Sequence, residues 1–497
     1  MKAAFAQPVR QPDFFYLNEL SEEVSQRNAM PASSLKPFIY QFNLNPDSFA
    51  TAENKLYGKR ENLNRAGRKL KYESLLEVDS PEFKICFDPL FLFEYGPDQI
   101  SGKTLYRNTR GVRVTASIGR EFYFETSFLE NQARYPQYVM DMVDSLNVFP
   151  QQGRAKPFKT DGADFAMAWG TLHWKPVSWL MLRAGHDRFF IGNGYRSLLL
   201  SDNAFVMPFA QLTVHGKKWS YTSVWSNLQT LRFGAYVFNA LSEPVFTRKG
   251  YTFQYLTWRP LKFIEAGFFL GTIWSDFPGL MALPLPGAGN MGNTSINQAG
   301  GLNLHLSVLQ KYRLYGQVLL NGKERYGWQA GMRSSHIAGI RNLSFLAEYN
   351  QVMPYTYQSK SNRLNSPDGF HHYNQSLAHP LGANFREYLG ILQYRYRDLF
   401  FWAKVNYYEQ GRTGSQVLPL FPSGQNLTLS EPPPPQASFL EGSSHIRSIR
   451  EIRAGYLLNR KTHLLASIAL QQATGSNQST WINLSIGTRL WNQYTDF

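Results

Sequence analysis

The sequence predicts an all-β protein: a closed antiparallel transmembrane β-barrel of about 18 strands, with a small N-terminal periplasmic or plug segment. Three observations carry this expectation. Apolar residues recur at every second position through many stretches of about ten residues. Short turns and long loops alternate along the chain. Tryptophan stands beside a cation at two of the short turns, in Trp174-Lys175-Pro176 and Trp258-Arg259-Pro260.

Composition narrows the alternatives. Aromatic residues make up 15% of the 497 residues and charged residues only 18%, with 28 Tyr and 36 Phe spread throughout. No apolar run reaches the roughly 18 residues a membrane-crossing helix needs, whereas a membrane strand needs only about ten with every second one apolar. The single Cys86 excludes an intrachain disulfide framework and a cysteine-cluster metal site. The formal charge of +15 suits an anionic partner such as nucleic acid, lipopolysaccharide or acidic polysaccharide. The basic residues are scattered, and no helix-turn-helix, zinc finger or RNP-like run accompanies them, so nucleic acid is not expected.

At the start, Ala4-Phe5-Ala6 before Gln7 is a small-x-small cleavage pattern, which reads residues 1–6 as the residual end of a signal peptide. Residues 7–80 are expected to form a periplasmic or lumen-filling segment. Leu17, Leu20 and Val24 have helical spacing there, and Leu56, Leu63 and Leu70 lie seven apart in a basic stretch. Residues 81–497 are expected to form the barrel.

The period changes to two from about Phe83. Val112, Val114, Ala116 and Ile118 alternate with Arg113, Thr115 and Ser117; after Gly119-Arg120, Phe122, Phe124 and Phe128 alternate with Tyr123, Glu125 and Ser127. The pattern returns at Leu302 to Val308, Leu314 to Leu320, Leu343 to Tyr349 and Leu464 to Leu470. Short connections are read at 119–120, 174–176, 216–218, 258–260, 309–312, 336–341, 397–398 and 459–461. Long ones are read near 131–162, 187–208, 229–248, 272–297, 352–385 and 409–448, with shorter members near 96–109, 322–325 and 473–478. The alternation gives an even strand number with both ends on the short-turn side, as bacterial outer-membrane barrels require. A soluble sandwich or propeller would also alternate, but would not place Trp beside Lys or Arg at strand ends, where an interfacial girdle belongs. The last strand is read from Trp481 to Trp491.

Two stretches escape the structural pattern. Gly185 to Pro208 gathers Asp187, Arg188, Asn193, Arg196, Asp202 and Asn203 around Gly192 and Gly194. Glu348 to Glu387 carries Tyr355, Tyr357, His372, Tyr373 and Asn374. The two are expected to meet, either as a ligand-binding site or as loops whose polar groups satisfy one another and plug the lumen. No catalytic constellation is legible: there is no HExxH beside His371, His372 and His379, no G-x-S-x-G around Ser201, and no fixed spacing between Asp187 and Asp202. No enzyme, metal or cofactor is expected. Pro432 to Pro435 reads as a stiff spacer.

With GHDRFFIGNGYRSLLLSDNA, the distant HYNQSLAHPLGANFRE and about 18 strands in view, residues 83–497 resemble the Wzi-like capsule-assembly outer-membrane barrels and related gliding-motility surface proteins. The resemblance implies a non-enzymatic protein of the Gram-negative outer membrane that holds or organises exopolysaccharide. It implies contact with outer-membrane lipid and lipopolysaccharide, and a monomer able to join a surface complex. Tyr faces, Asn and Asp side chains and Arg groups suit sugar rings, hydroxyls and acidic sugars. The alternatives are a motility or adhesion protein and a substrate-selective, porin-like channel.

Overall fold

The computed structural model describes residues 34–37, 51, 54, 56–119, 121–146, 148–232, 245–275, 296–308, 312–334, 337–358, 368–412 and 437–497. Eighteen antiparallel strands close into one barrel. In chain order they are β1 Phe83–Pro97, β2 Thr104–Ile118, β3 Phe122–Arg134, β4 Gly162–Val177, β5 Leu180–Asp187, β6 Met207–His215, β7 Trp219–Arg232, β8 Val245–Leu261, β9 Ile264–Trp274, β10 Ile296–Val308, β11 Tyr312–Leu320, β12 Tyr326–Ser334, β13 Leu343–Val352, β14 Phe385–Tyr396, β15 Leu399–Arg412, β16 Ser443–Asn459, β17 Leu464–Thr474 and β18 Ser479–Gly487. Among the described residues two α-helices accompany them, α1 Arg65–Tyr72 and α2 Gln137–Leu146.

Alternation in sequence becomes alternation between lipid and lumen. In β3, Tyr123, Glu125 and Ser127 are buried inside, while Phe122, Phe124 and Phe128 face out. The same holds for outward Leu302, Leu304, Leu314, Val318, Ile468, Leu470, Ile482 and Leu484. Such a continuous apolar belt is stable against hydrocarbon, and this barrel is an outer-membrane barrel of the Gram-negative type. No helix among the described residues is long and apolar enough to cross a membrane.

Aromatic girdles mark both edges of the belt. At the short-turn end, Trp174, Trp179, Trp219 and Trp258 are exposed, and Trp219 pairs directly with Trp258. At the long-loop end, Trp328, Tyr349, Tyr388 and Tyr407 run across four strands with ring centroids 4.8, 4.9 and 6.2 Å apart. The Trp-cation-Pro motifs are not themselves the turns. Both lie within strand ends, at register shifts between Trp174 and Val177 and between Trp258 and Leu261. Pro supplies no ladder N–H, so a bulge accommodates it and the turn falls two residues later.

The last strand also differs from expectation: β18 ends at Gly487, not Trp491. It closes the barrel by pairing Leu484–Gly487 with Leu92–Tyr95. Residues 488–497 then turn inward, and Leu490, Trp491, Asn492, Tyr494, Asp496 and Phe497 are buried. Their polar NQYTD run has no place against lipid, but finds hydrogen-bond partners in the lumen. Where β18 stops, Leu76–Asp79 pairs with Lys84–Phe87 and continues the wall.

The lumen is packed. Leu35, Phe189, Ile191, Tyr195, Leu198, Leu199, Leu377, Leu381 and Tyr494 form one core with the inward wall residues Phe253, Tyr255 and Phe269. Helix α2 packs Tyr138, Val139 and Val143 against inward Ile449, Ala473 and Trp481. The early segment touches both ends of this arrangement. Leu35 and Lys36 pair with Ile191 and Phe190 inside the barrel, while α1, capped by Asn64, lies at the short turns. The expected helix near Leu17 to Val24, and the Pro432 to Pro435 run, lie outside the described residues.

Candidate functional site

The loop from 188 to 206 leaves β5 and re-enters the wall at β6, filling the lumen between. Its glycines are needed for two different reasons. Gly192 has φ +135°, a region other residues rarely adopt. A side chain on Gly194 would collide with the Glu348 carboxylate and the Tyr315 ring. Those contacts let the loop backbone approach the wall closely, so that the Tyr195 and Arg196 N–H groups donate to Glu348 at 2.9 and 3.1 Å.

Arg196 is the hub. Its guanidinium donates to Glu387 from Nε and Nη2 at 3.2 and 3.0 Å, and Nη2 also reaches the Asp496 carboxylate at 3.0 Å. It lies between the rings of Tyr195 and Tyr494, 4.8 and 5.2 Å from their centroids. Glu387 further accepts from Asn350 and Asn406 and bonds His379 at 2.7 Å. Asp496 receives Tyr195 Oη at 2.7 Å and pairs with Lys404 at 3.0 Å. Burial alone would push the Asp496 carboxyl up, but Arg196 and Lys404 outweigh it and hold the group below the usual carboxylate range.

A second polar cluster lies alongside. Asp202 accepts from Asn492 Nδ2 and Tyr494 Oη, both at 2.8 Å. Here burial dominates over the neighbouring Arg188 and raises the Asp202 carboxyl. Arg188 lies over the Trp491 ring at 6.0 Å. Asp187 pairs with Arg183 on the wall, the Asn193 carbonyl accepts from Arg333, and Asn203 donates to the Ser376 carbonyl at 3.0 Å.

The two unusual stretches do meet. Besides Asn203 with Ser376, the Ser201 N–H donates to the Leu377 carbonyl, and Tyr357 Oη donates to the Leu198 carbonyl at 2.7 Å. Within the insert, His371–His372 and Gln375–Ser376 form a miniature hairpin whose turn is Tyr373-Asn374, both at positive φ. Tyr355 and Tyr357 also take positive φ, as the insert folds back on itself. Tyr373 packs on Phe205 at 4.7 Å. His372 is fully used: Nδ1 accepts from the Gln229 N–H and Nε2 donates to the Val206 carbonyl, which requires neutral imidazole.

Nine of the eleven residues singled out from sequence are buried, all except Tyr355 and Tyr373. Their polar groups largely answer one another, so this cluster is the internal framework of a plug and offers little surface to a ligand in solution. Glu348, Glu387, Lys404 and Asp496, which organise it, escaped the sequence reading. Their available signal was a charged residue at an inward slot of an alternating strand, and NQYTD where an apolar alternation should have continued. No group of three or more potential metal-ligating side chains occurs among the described residues.

Comparison with known proteins agrees with the fold. Wzi of Escherichia coli, an outer-membrane protein involved in group 1 capsule assembly and described as a carbohydrate-binding β-barrel, superimposes with a TM-score of 0.54 at 13% identity, covering 95% of this chain and 98% of Wzi. The Pseudomonas aeruginosa barrels OccK8 (OprE) and OpdK give TM-scores of 0.43 and 0.45 at 10% identity, covering 82% and 81% of this chain and 98% of each of theirs. No protein-family model matches the chain, and no curated protein matches it by sequence. This chain is similar in fold to outer-membrane barrels, and to Wzi over nearly its whole length.

Proposed function

We propose that this protein is a non-enzymatic surface barrel that holds or organises exopolysaccharide at the outer face of the outer membrane. The observation that carries this reading is the occupied lumen. An 18-stranded barrel without obstruction is wide enough for a water channel, yet here loop 188–206, the 368–384 insert, residues 34–37 and residues 488–497 interlock inside it. Such a barrel has its long-loop face left to work with. The fold similarity to Wzi supports the choice of carbohydrate as the ligand class.

The test is a deletion strain complemented with the wild-type protein, scored for cell-bound against shed polysaccharide and for spreading on agar. Retention should fall on deletion and return on complementation. Unchanged retention sinks the proposal, and lost spreading with normal polysaccharide moves the role to motility.

A further inference from the structure

Resting on the polysaccharide reading, we infer that the mouth of the barrel between β15 and β16 holds a binding site for a carboxylate-bearing sugar unit. The half-buried Arg412 and His445 would meet the carboxylate first, with the Arg447 guanidinium beneath them and Tyr138 and Tyr408 beside it. The site lies at the long-loop rim. Arg412 is the last residue of β15, and His445 and Arg447 follow the first residue of β16 at period-two spacing.

Register brings the group together. Tyr408 stands opposite Arg447 and Gln410 opposite His445, so all point to the lumen side. The Tyr408 and His445 rings lie 5.9 Å apart, and the Arg447 guanidinium lies 4.3 Å over the ring of Tyr138 on α2. Lipid headgroups meet the opposite face of these strands, where Ile446 and Arg450 are exposed. A saccharide entering the mouth is therefore the anion this geometry suits.

The charge is uncompensated. Arg447 is 4% exposed; its Nη2 donates to the Ser476 carbonyl at 3.0 Å and its guanidinium meets the Tyr408 hydroxyl, both neutral groups, while Nε and Nη1 are buried with no acceptor at hydrogen-bond distance. Arg412 spends its Nε on Gln410 at 3.2 Å. Neither arginine forms an ion pair among the described residues, in a barrel where Arg183, Arg196, Arg386 and Arg460 all do. The connecting residues 413–436 hold one acidic residue, Glu431, against two arginines. Buried donors without acceptors are costly, and a guanidinium over an aromatic face with a second guanidinium near it matches a carboxylate on a sugar ring.

The experiment uses purified full-length protein in detergent, titrated with a short oligogalacturonate and with its carboxyl-reduced neutral counterpart. Wild type should bind the acidic oligomer and bind the neutral one roughly tenfold more weakly, as for loss of a charge-assisted bond. Arg412→Gln with Arg447→Gln should abolish that preference, while Arg450→Gln on the opposite face should keep it. Heat-modifiable gel migration checks that each variant is folded. A merely structural Arg447 would not distinguish the two oligomers. Equal binding of both, or an unchanged preference in the double variant, overturns the carboxylate site and leaves the saccharide reading standing. No binding of the acidic oligomer by folded wild type overturns the carboxylate site, while the polysaccharide reading stands or falls on the retention assay.

Discussion

Arg196 and Asp496 stand 300 positions apart in the sequence, yet Arg196 Nη2 and an Asp496 carboxylate oxygen lie 3.0 Å apart with both side chains fully buried. One sits on the loop between β5 and β6, and the other on the segment that leaves β18 for the lumen. Glu387 on β14 and Lys404 on β15 complete the cluster, so a single ionic network ties both fillers to the wall.

Removing one member of such a network leaves its partners charged, buried and unpaired, at a cost of about 3–5 kcal/mol. Arg196→Ala is therefore expected to loosen the plug without dissolving the wall, whose ladders are independent of it. In planar bilayers the wild type should show little or no steady conductance, and Arg196→Ala should show frequent openings. Large steady conductance in the wild type would instead favour a channel.

Asp202 and Asp496 should respond oppositely to neutralisation. Relative to the unfolded chain, the native state binds the Asp202 proton more tightly, since that carboxyl is raised, and the Asp496 proton less tightly, since that carboxyl is lowered. The Asp496 contribution is full above the ordinary Asp range near about 4 and is lost as pH falls below it; that of Asp202 runs the other way. Asp202→Asn should shift thermal stability little, and Asp496→Asn should lower it clearly. Equal losses measured by differential scanning would contradict this assignment.

The insert should loosen in mild acid. Burial pushes His371 and His379 down and His372 down to about 3, so all three are neutral in the folded state. An unfolded His takes up its proton near about 6.5, so their contribution is intact above that value and declines as pH drops toward the folded value. After correction for intrinsic exchange rates, amide protection across 368–384 should weaken between pH 7 and pH 5 while that of β1 and β2, which contain no histidine, stays constant. Uniform protection at both pH values would refute it.

At the short-turn end, Asp398 pairs with Lys71 at 3.2 Å and with Arg460 at 2.7 Å, and the Arg460 guanidinium also reaches the Tyr57 carbonyl. Asp398→Ala should release residues 56–73 from the barrel base while β14 and β15 remain paired. Limited proteolysis should then cut among Lys59, Arg65, Arg68 and Lys69 many times faster than in wild type. An unaltered digestion pattern would show that the ion pairs do not anchor the segment.

Strand number, sidedness and the lipid-facing band were determined by the sequence itself, because they depend on local period and turn length. Phe122, Phe124 and Phe128 declare an outward face whatever lies across the sheet. The glycines and polar residues of 185–208 marked a loop that does something other than connect. Only the tertiary structure decided what that was. Whether Arg196 meets a ligand or an internal carboxylate depends on where Glu387 and Asp496 arrive, and barrel closure sets that across hundreds of residues. The inward turn after Gly487 had the same origin: an alternating strand and a lumen-filling segment differ in what waits for their polar groups. Likewise Arg412 and Arg447 look like scattered surface charge until strand register brings them to one face, at the mouth, with no ion pair among the described residues.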